Sequence, residues 1–181
     1  MSDEHKKILL KLARAAISSR FDHRPLEKPQ EPALQEKRGL FVSLHKQGQL
    51  RGCIGYIKAF HSIVDSVVEM AQEAAFSDPR FPSLRQEELD DLEIEISVLS
   101  EMMPVASTDE IVIGRDGLFI QHPHGSGLLL PQVPVEWNWD LPEYLKHICL
   151  KAGLHQKAWQ DPGARLHRFT AEVFSEADFS D

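Results

Sequence analysis

The sequence is poor in cysteine, in basic residues and in long apolar runs. Cys53 and Cys149 are its only cysteines, too few for a disulfide framework or a four-cysteine zinc site. Its formal net charge of −8 would repel a phosphate backbone. No apolar run approaches the ~18 residues that cross a bilayer, and residues 1–20 lack the apolar centre of a signal peptide. We therefore expect a cytoplasmic protein with free thiols that binds neither nucleic acid nor membrane.

The remaining composition is typical of one globular domain. The 181 residues, 42% hydrophobic and 27% charged, are enough for one good core. We expect a single domain over residues 1–181, either undivided or bilobed. Apolar spacing predicts amphipathic helices over residues 3–20 and 62–76, and alternation predicts a strand over 92–98. Hairpin-linked strands without a regular βαβ rhythm indicate an α+β fold, mainly an antiparallel sheet with flanking helices, rather than a parallel α/β sheet.

Other elements are predicted from caps, turns and shorter patterns. Ser83 has the sequence context of a cap for a short helix that ends near Asp90. Asp140 and Gly153 are the expected start and stop signals of a longer helix. Further strands are predicted over 111–113, 118–121, 128–130 and 165–174.

The stretch Leu50-Arg51-Gly52-Cys53-Ile54-Gly55 combines a thiol, a guanidinium and two glycines in six residues. Glycine inside a strand usually marks a bulge or the close approach of another backbone or a ligand. A cation near a cysteine can activate its thiol and can hold a carboxylate or phosphate. We predict Cys53 as a candidate nucleophile and Arg51, Gly52 and Gly55 as ligand-binding residues. The alternative is a small buried Cys53 beside glycines that only permit packing.

The pairing register of this stretch decides which side chains share a face with Cys53. Residues 39–57 have the pattern of two strands, and a three-residue loop ending at Gly48 would pair His45 with Gln49. Arg51 and Cys53 would then lie on one face, ~6–7 Å apart, whereas His45 would lie ~13 Å along the strand. His45 is therefore a poor candidate for the base of a thiol nucleophile.

Three other motifs each allow two interpretations. Asp78-Pro79-Arg80 could present its charged residues, Asp78 and Arg80, to a ligand, or could form a rigid corner held by their ion pair. His122-Pro123-His124 could offer two metal ligands, but its turn-forming residues favour a hairpin tip, and we predict no metal site. Trp137-Asn138-Trp139 could stack on a flat ligand or pack beneath a loop. Cys149 lies on the apolar stripe of its helix and is expected in the core.

The six residues Leu50–Gly55, called the hexad below, and several other segments together resemble the AMME-chromosomal-region domain. In bacteria and archaea this domain is called AmmeMemoRadiSam system protein A. The likeness covers roughly residues 36–176, and the hexad is specific to that family. The other matching segments include Arg38-Gly39-Leu40-Phe41-Val42, Asp78-Pro79-Arg80-Phe81, Ile94-Glu95-Ile96-Ser97-Val98 and Gly127-Leu128-Leu129-Leu130-Pro131. The chain departs from the family's usual glycine-rich basic turn at His122-Pro123-His124.

The resemblance implies an α+β fold of two unequal lobes around a cleft, with the hexad near it. It also implies a Memo-like protein and a radical-SAM protein as partners, but neither a reaction nor a cofactor. One hypothesis is an enzyme or enzyme subunit in which Cys53 reacts, Arg51 holds a small anionic ligand, and Asp78 and Arg80 line the same cleft. The other is a non-catalytic module that docks a partner protein through that cleft.

Overall fold

The computed structural model describes residues 1–180 and has an α+β fold with two four-stranded, mainly antiparallel sheets. This confirms the predicted fold class. The chain divides into two compact units: Met1–Leu99 together with the segment from Glu172 onward, and Ser100–Ala171. No helix among residues 1–180 has the length and apolar character needed to cross a membrane.

The first unit packs two helices against a sheet. Its helices are α1 (Asp3–Asp22) and α2 (Ile63–Phe76), and its strands are β1 (Leu40–Lys46), β2 (Gln49–Tyr56), β3 (Leu92–Leu99) and β8 (Ala171–Ser175), in the order β2-β1-β3-β8. Both helices and β3 form where the apolar periodicity predicts them. Ser2 and Ser62 cap the two helices, and the apolar residues of α1, α2 and β3 are buried in one core. The order of the strands leaves β2 at an edge of the sheet.

The second unit has its own sheet and core. Its strands are β4 (Met103–Pro104), β5 (Gly117–His122), β6 (Gly125–Leu129) and β7 (Arg165–Phe169), in the order β4-β7-β5-β6, and its helices are α3 (Val133–Glu136) and α4 (Leu141–Lys151). Asp140 caps α4, as predicted. Tyr144 of α4 is fully buried and donates its hydroxyl hydrogen to the carbonyl of Asp116 at 3.0 Å.

Three of the shorter predictions are wrong. The short helix before β3 is a 3₁₀ helix over Gln86–Asp91 that begins after Arg85, not after Ser83. Residues 111–113 form no strand; β5 pairs instead with β6 and β7. The predicted strand over 165–174 is two strands in different sheets, because it is interrupted at Thr170, whose amide donates to the Ser100 hydroxyl at 2.8 Å.

The predicted register of the β1–β2 hairpin is also wrong. Lys46 pairs with Gln49, so the turn has two residues, Gln47 and Gly48, with φ of 52° and 75°. Positive φ at both central residues is the geometry of a hairpin turn whose twist matches its strands. An irregularity then leaves Arg51 without a partner residue on β1. The regular alternation that would place Arg51 and Cys53 on one face is therefore interrupted.

Candidate functional site

Cys53 lies half-buried on the edge strand β2, directly opposite Ser43 of β1. The Ser43 hydroxyl donates a hydrogen bond to the Cys53 sulfur at 3.2 Å. The backbone groups of Cys53 bond outside the sheet: its amide donates to a carboxylate oxygen of Asp78 at 2.9 Å, and its carbonyl accepts from Arg80 Nη2 at 3.1 Å. The loop after α2 thus takes the place of a neighbouring strand at this residue.

Asp78 and Arg80 form an ion pair, as the rigid-corner interpretation of this motif requires, and their ligand-binding roles stay predictions. Arg80 donates from Nε to Asp78 Oδ1 at 3.0 Å and from Nη2 to Oδ2 at 2.8 Å, and its backbone amide adds a bond to Oδ1 at 3.1 Å. These bonds hold the pKa of the Asp78 carboxyl well below its usual range, the Arg80 guanidinium being the main cause. The Asp78 side chain is 1% exposed and that of Arg80 is 56% exposed. Arg80 is therefore the member of the pair that a solvent-borne ligand can reach.

The guanidinium of Arg80 contacts Cys53 through the backbone carbonyl of that residue. The pKa of Arg80 is raised, first by its hydrogen bond to Asp78 and, less strongly, by the Cys53 side chain. The structure thus brings together three of the predicted site residues, Cys53, Asp78 and Arg80.

Arg51 has a different partner. Its guanidinium donates from Nε and Nη2 to the two carboxylate oxygens of Glu88, each at 3.1 Å, and Lys46 Nζ lies 3.2 Å from the same carboxylate. The Arg85 amide donates to Glu88 as well, at 3.0 Å. The pKa of Glu88 is lowered to about 2, mainly by the hydrogen bond from Arg51. The Arg51 side chain is 12% exposed, so its charge interacts mainly with Glu88 and little with solvent.

Both glycines of the hexad are required by packing. A β-carbon at Gly52 would collide with the carbonyl oxygen of Ala74, so the glycine lets α2 approach β2. A β-carbon at Gly55 would collide with the ring of Phe41 and the carbonyl of Leu40. The predicted close approach of another backbone is therefore present at Gly52. The ligand-binding roles predicted for Gly52 and Gly55 stay predictions.

Ser43 and Glu88 were not singled out by the sequence. The expected register placed Phe41, not Ser43, opposite Cys53. The two-residue turn alone would place Val42 there, and the irregularity at Arg51 shifts the pairing by one more residue to Ser43. Glu88 is 37 residues from Arg51 along the chain, so no local pattern links the two residues.

The paired histidines lie at a hairpin tip, because His122 pairs with Gly125 across the β5–β6 turn. His122 Nε2 lies 3.4 Å and His155 Nε2 lies 2.6 Å from the same oxygen of Asp161. The Nδ1 of each ring accepts a backbone amide, from His124 and Lys157 respectively, so each Nε2 carries a hydrogen that it can donate to Asp161. Within residues 1–180, no three His, Cys, Asp or Glu side chains converge as a metal ion requires.

The two tryptophans of the Trp137-Asn138-Trp139 motif differ in exposure, and Cys149 lies in the core. Trp139 stacks on His147 of α4, with ring centroids 3.9 Å apart and planes 5° apart, whereas Trp137 is 68% exposed. Cys149 is fully buried, and burial raises the pKa of its thiol. Cys149 is therefore a core residue, as predicted.

Comparison with known proteins gives one consistent result. The AMMECR1 family model matches residues 10–174, starting earlier than the hexad-based resemblance suggested. A protein of Thermococcus gammatolerans is 44% identical over 97% of this chain and 92% of its own length, and one of Methanothermobacter thermautotrophicus is 41% identical over 97% and 96%. The crystal structure of the uncharacterized protein PH0010 from Pyrococcus horikoshii is 40% identical and superposes with a TM-score of 0.88, covering 97% of this chain and 93% of that one. The chain belongs to the AMMECR1 family.

Proposed function

We propose that the chain is the ligand-binding component of a system that also contains a Memo-like and a radical-SAM protein. Cys53 and Arg80 form the proposed site for a small anionic ligand. Asp78 fixes the guanidinium of Arg80, and the thiol of Cys53 is the group that can react with the ligand or bind it. The system partners come from the family resemblance, and the ligand class comes from the charge and exposure of Arg80.

The observation that carries the proposal is the arrangement around the sulfur. Ser43 donates to it at 3.2 Å, and Arg80, 56% exposed, is tied to the carbonyl of the same cysteine at 3.1 Å. An anionic group that approaches the thiol therefore meets a fixed guanidinium with at least one face toward solvent. Each arginine is paired with a carboxylate, but Arg51 is the weaker candidate for this role because its side chain is 12% exposed and that of Arg80 is 56% exposed.

Alkylation by a matched pair of reagents tests the site. Iodoacetate and iodoacetamide both form a bond from the cysteine sulfur to carbon with loss of iodide, but only iodoacetate carries a charge. A unit charge ~4 Å away contributes ~1 kcal/mol in water, about fivefold in rate. We expect the ratio of the iodoacetate rate to the iodoacetamide rate to exceed that of N-acetylcysteinamide by this factor. Arg80→Gln should bring the ratio back to that of the model thiol.

Cys53→Ser is the negative control for this experiment. Cys149 is fully buried, so Cys53→Ser should abolish alkylation of the folded protein. An unchanged ratio in Arg80→Gln would show that Arg80 does not select anions. A Cys53 thiol slower than N-acetylcysteinamide toward both reagents would remove the support for a reacting cysteine.

An exposed aromatic patch favours the second function, a docking module. Phe60 is 59% exposed, and Tyr56 lies beside both Phe60 and His61, at centroid distances of 6.3 and 6.1 Å. Aromatic side chains are enriched at the energetic centres of protein interfaces. If the chain docks a Memo-like or radical-SAM partner there, Phe60→Ala lowers co-purification of the partner while Cys53→Ser does not. Trp137→Ala, which removes another exposed aromatic, serves as the matched control.

A further inference from the structure

A cavity of about 700 Å³ opens in the first unit beside α1. Its walls are one side of α1, the segment that follows this helix, and the turn after β8, and no residue that surrounds Cys53 lines it. The apolar part of the lining includes Leu10, Leu26 and Phe179. A volume of this size lies within the range of small-molecule sites, roughly 300–1,000 Å³.

The carboxylates that line the cavity already have partners. Glu176 receives two hydrogen bonds of 2.6 Å from the Nε and Nη2 of Arg14, whose guanidinium also donates to the carbonyls of Leu89 and Leu92. Asp22 pairs with Arg24 at 3.3 Å. The acids and the arginines of the lining therefore cancel each other.

The lining also contains two lysines, Lys7 and Lys11. Within the described part of the chain, neither Lys7 nor Lys11 has a carboxylate within salt-bridge distance. They are four residues apart on α1 and so project from the same side of the helix. The Lys7 ammonium lies 5.2 Å from the centre of the Phe179 ring. The cavity thus joins an apolar wall to two lysines that form no salt bridge with residues 1–180, in a protein whose net charge is −8.

We propose that this cavity binds a single-headed amphipathic acid, a molecule with an aliphatic or aromatic body and one carboxylate. The body packs against Leu10, Leu26 and Phe179, and the carboxylate pairs with Lys7 and Lys11. The apolar wall disfavours ligands with many polar groups, because their desolvation would go uncompensated. The two lysines disfavour neutral and cationic ligands. This site is independent of Cys53 and does not rest on the function proposed for it.

Calorimetric titration of the whole chain with sodium dodecanoate, below its micellar concentration, tests the proposal. We expect one molecule bound per chain. The double variant Lys7→Glu/Lys11→Glu should weaken binding at least about tenfold, since it replaces attraction of the carboxylate by repulsion. Ala15→Trp should weaken it to a similar degree, because Ala15 lines the cavity and is exposed, so the indole fills the space without displacing the core.

The controls test whether binding depends on the location of the lysines and on the charge of the ligand. Lys58→Glu reverses one charge at an exposed lysine outside the lining and should leave the affinity unchanged, as should Cys53→Ser. Dodecanol, which has the same chain length without the charge, should bind at least about tenfold more weakly. Absence of dodecanoate binding, full affinity in Ala15→Trp, or equal affinity for dodecanol would each overturn the proposal.

Discussion

The amide of Cys53 donates to the carboxylate of Asp78 at 2.9 Å across 25 residues of sequence. This bond ties the edge of β2 to the loop that follows α2. Since the same carboxylate also holds Arg80, one buried acid sets the position of both the cysteine backbone and the guanidinium beside it. Asp78 is therefore the residue on which the geometry of the candidate site depends.

Asp78→Asn should lower the free energy of unfolding by about 2 kcal/mol, the contribution of hydrogen bonds to a buried charged group. The amide oxygen of asparagine can still accept from Cys53, but the charge that binds Arg80 is gone. Urea denaturation at neutral pH measures the change. Asp91→Asn, at an exposed acid near the start of β3, is the matched control and should change stability by a few tenths of a kcal/mol at most. Equal effects at the two positions would contradict the role given to Asp78.

Glu88 should make stability depend on pH in the acid range. Its pKa is about 2 in the folded protein, against an ordinary value of 4.5, so its contribution is present above pH 4.5 and is lost as the pH falls through 2. One pKa unit corresponds to about 1.4 kcal/mol, which makes this contribution roughly 3 kcal/mol. Glu88→Gln should therefore be less stable than the parent at pH 7, and the difference should shrink toward pH 2.

Denaturation curves of parent and Glu88→Gln at several pH values measure this difference. The neighbouring exposed acid provides the control, Glu87→Gln, which should show little change at any pH. A difference for Glu88→Gln that stays constant between pH 7 and pH 2 would mean that ionisation of this carboxyl is not what stabilises the fold.

Gly52→Ala should cost more stability than Gly48→Ala. At Gly52 the added methyl group meets the carbonyl oxygen of Ala74, so α2 and β2 must separate, and overpacking of this kind costs about 3 kcal/mol at the upper end. At Gly48 nothing lies within 4 Å, and the cost is only that of an alanine with positive φ, about 1–2 kcal/mol. Thermal unfolding of the two variants ranks them. The reverse order would contradict the close approach of α2 to β2.

The sequence predicted the elements with strong periodicity and missed features set by distant partners. α1, α2 and β3 were predictable because their apolar faces repeat over many residues and alone decide what is buried. The hexad could be singled out by composition. Its pairing with Glu88 and Asp78 could not, because tertiary contacts across 37 and 25 residues leave no local trace. The break at Thr170 was hidden by an alternation that continues from one sheet to the other.

The two-residue β1–β2 turn was not predicted because of the backbone conformation that it requires at Gln47. Gln47 occupies a position with φ of 52°, where an L-residue other than asparagine or glycine is strained, and this is why the sequence favoured a longer loop. The local preference is overridden by the rest of the hairpin, which pairs Leu40–Leu44 with both neighbouring strands. Some of that strain is therefore retained at Gln47.

Gln47→Asn should remove it, because Asn-Gly is the preferred dipeptide of a two-residue hairpin turn with positive φ at both positions. We expect the free energy of unfolding to rise by about 0.5–1 kcal/mol. Urea denaturation measures the gain, and Gln35→Asn, at an exposed position with φ of −88°, provides the control without positive φ. If the turn were instead the three-residue loop, residue 47 would have no need of positive φ and asparagine would bring no gain there. A stabilisation confined to position 47 therefore supports the two-residue turn that pairs Lys46 with Gln49.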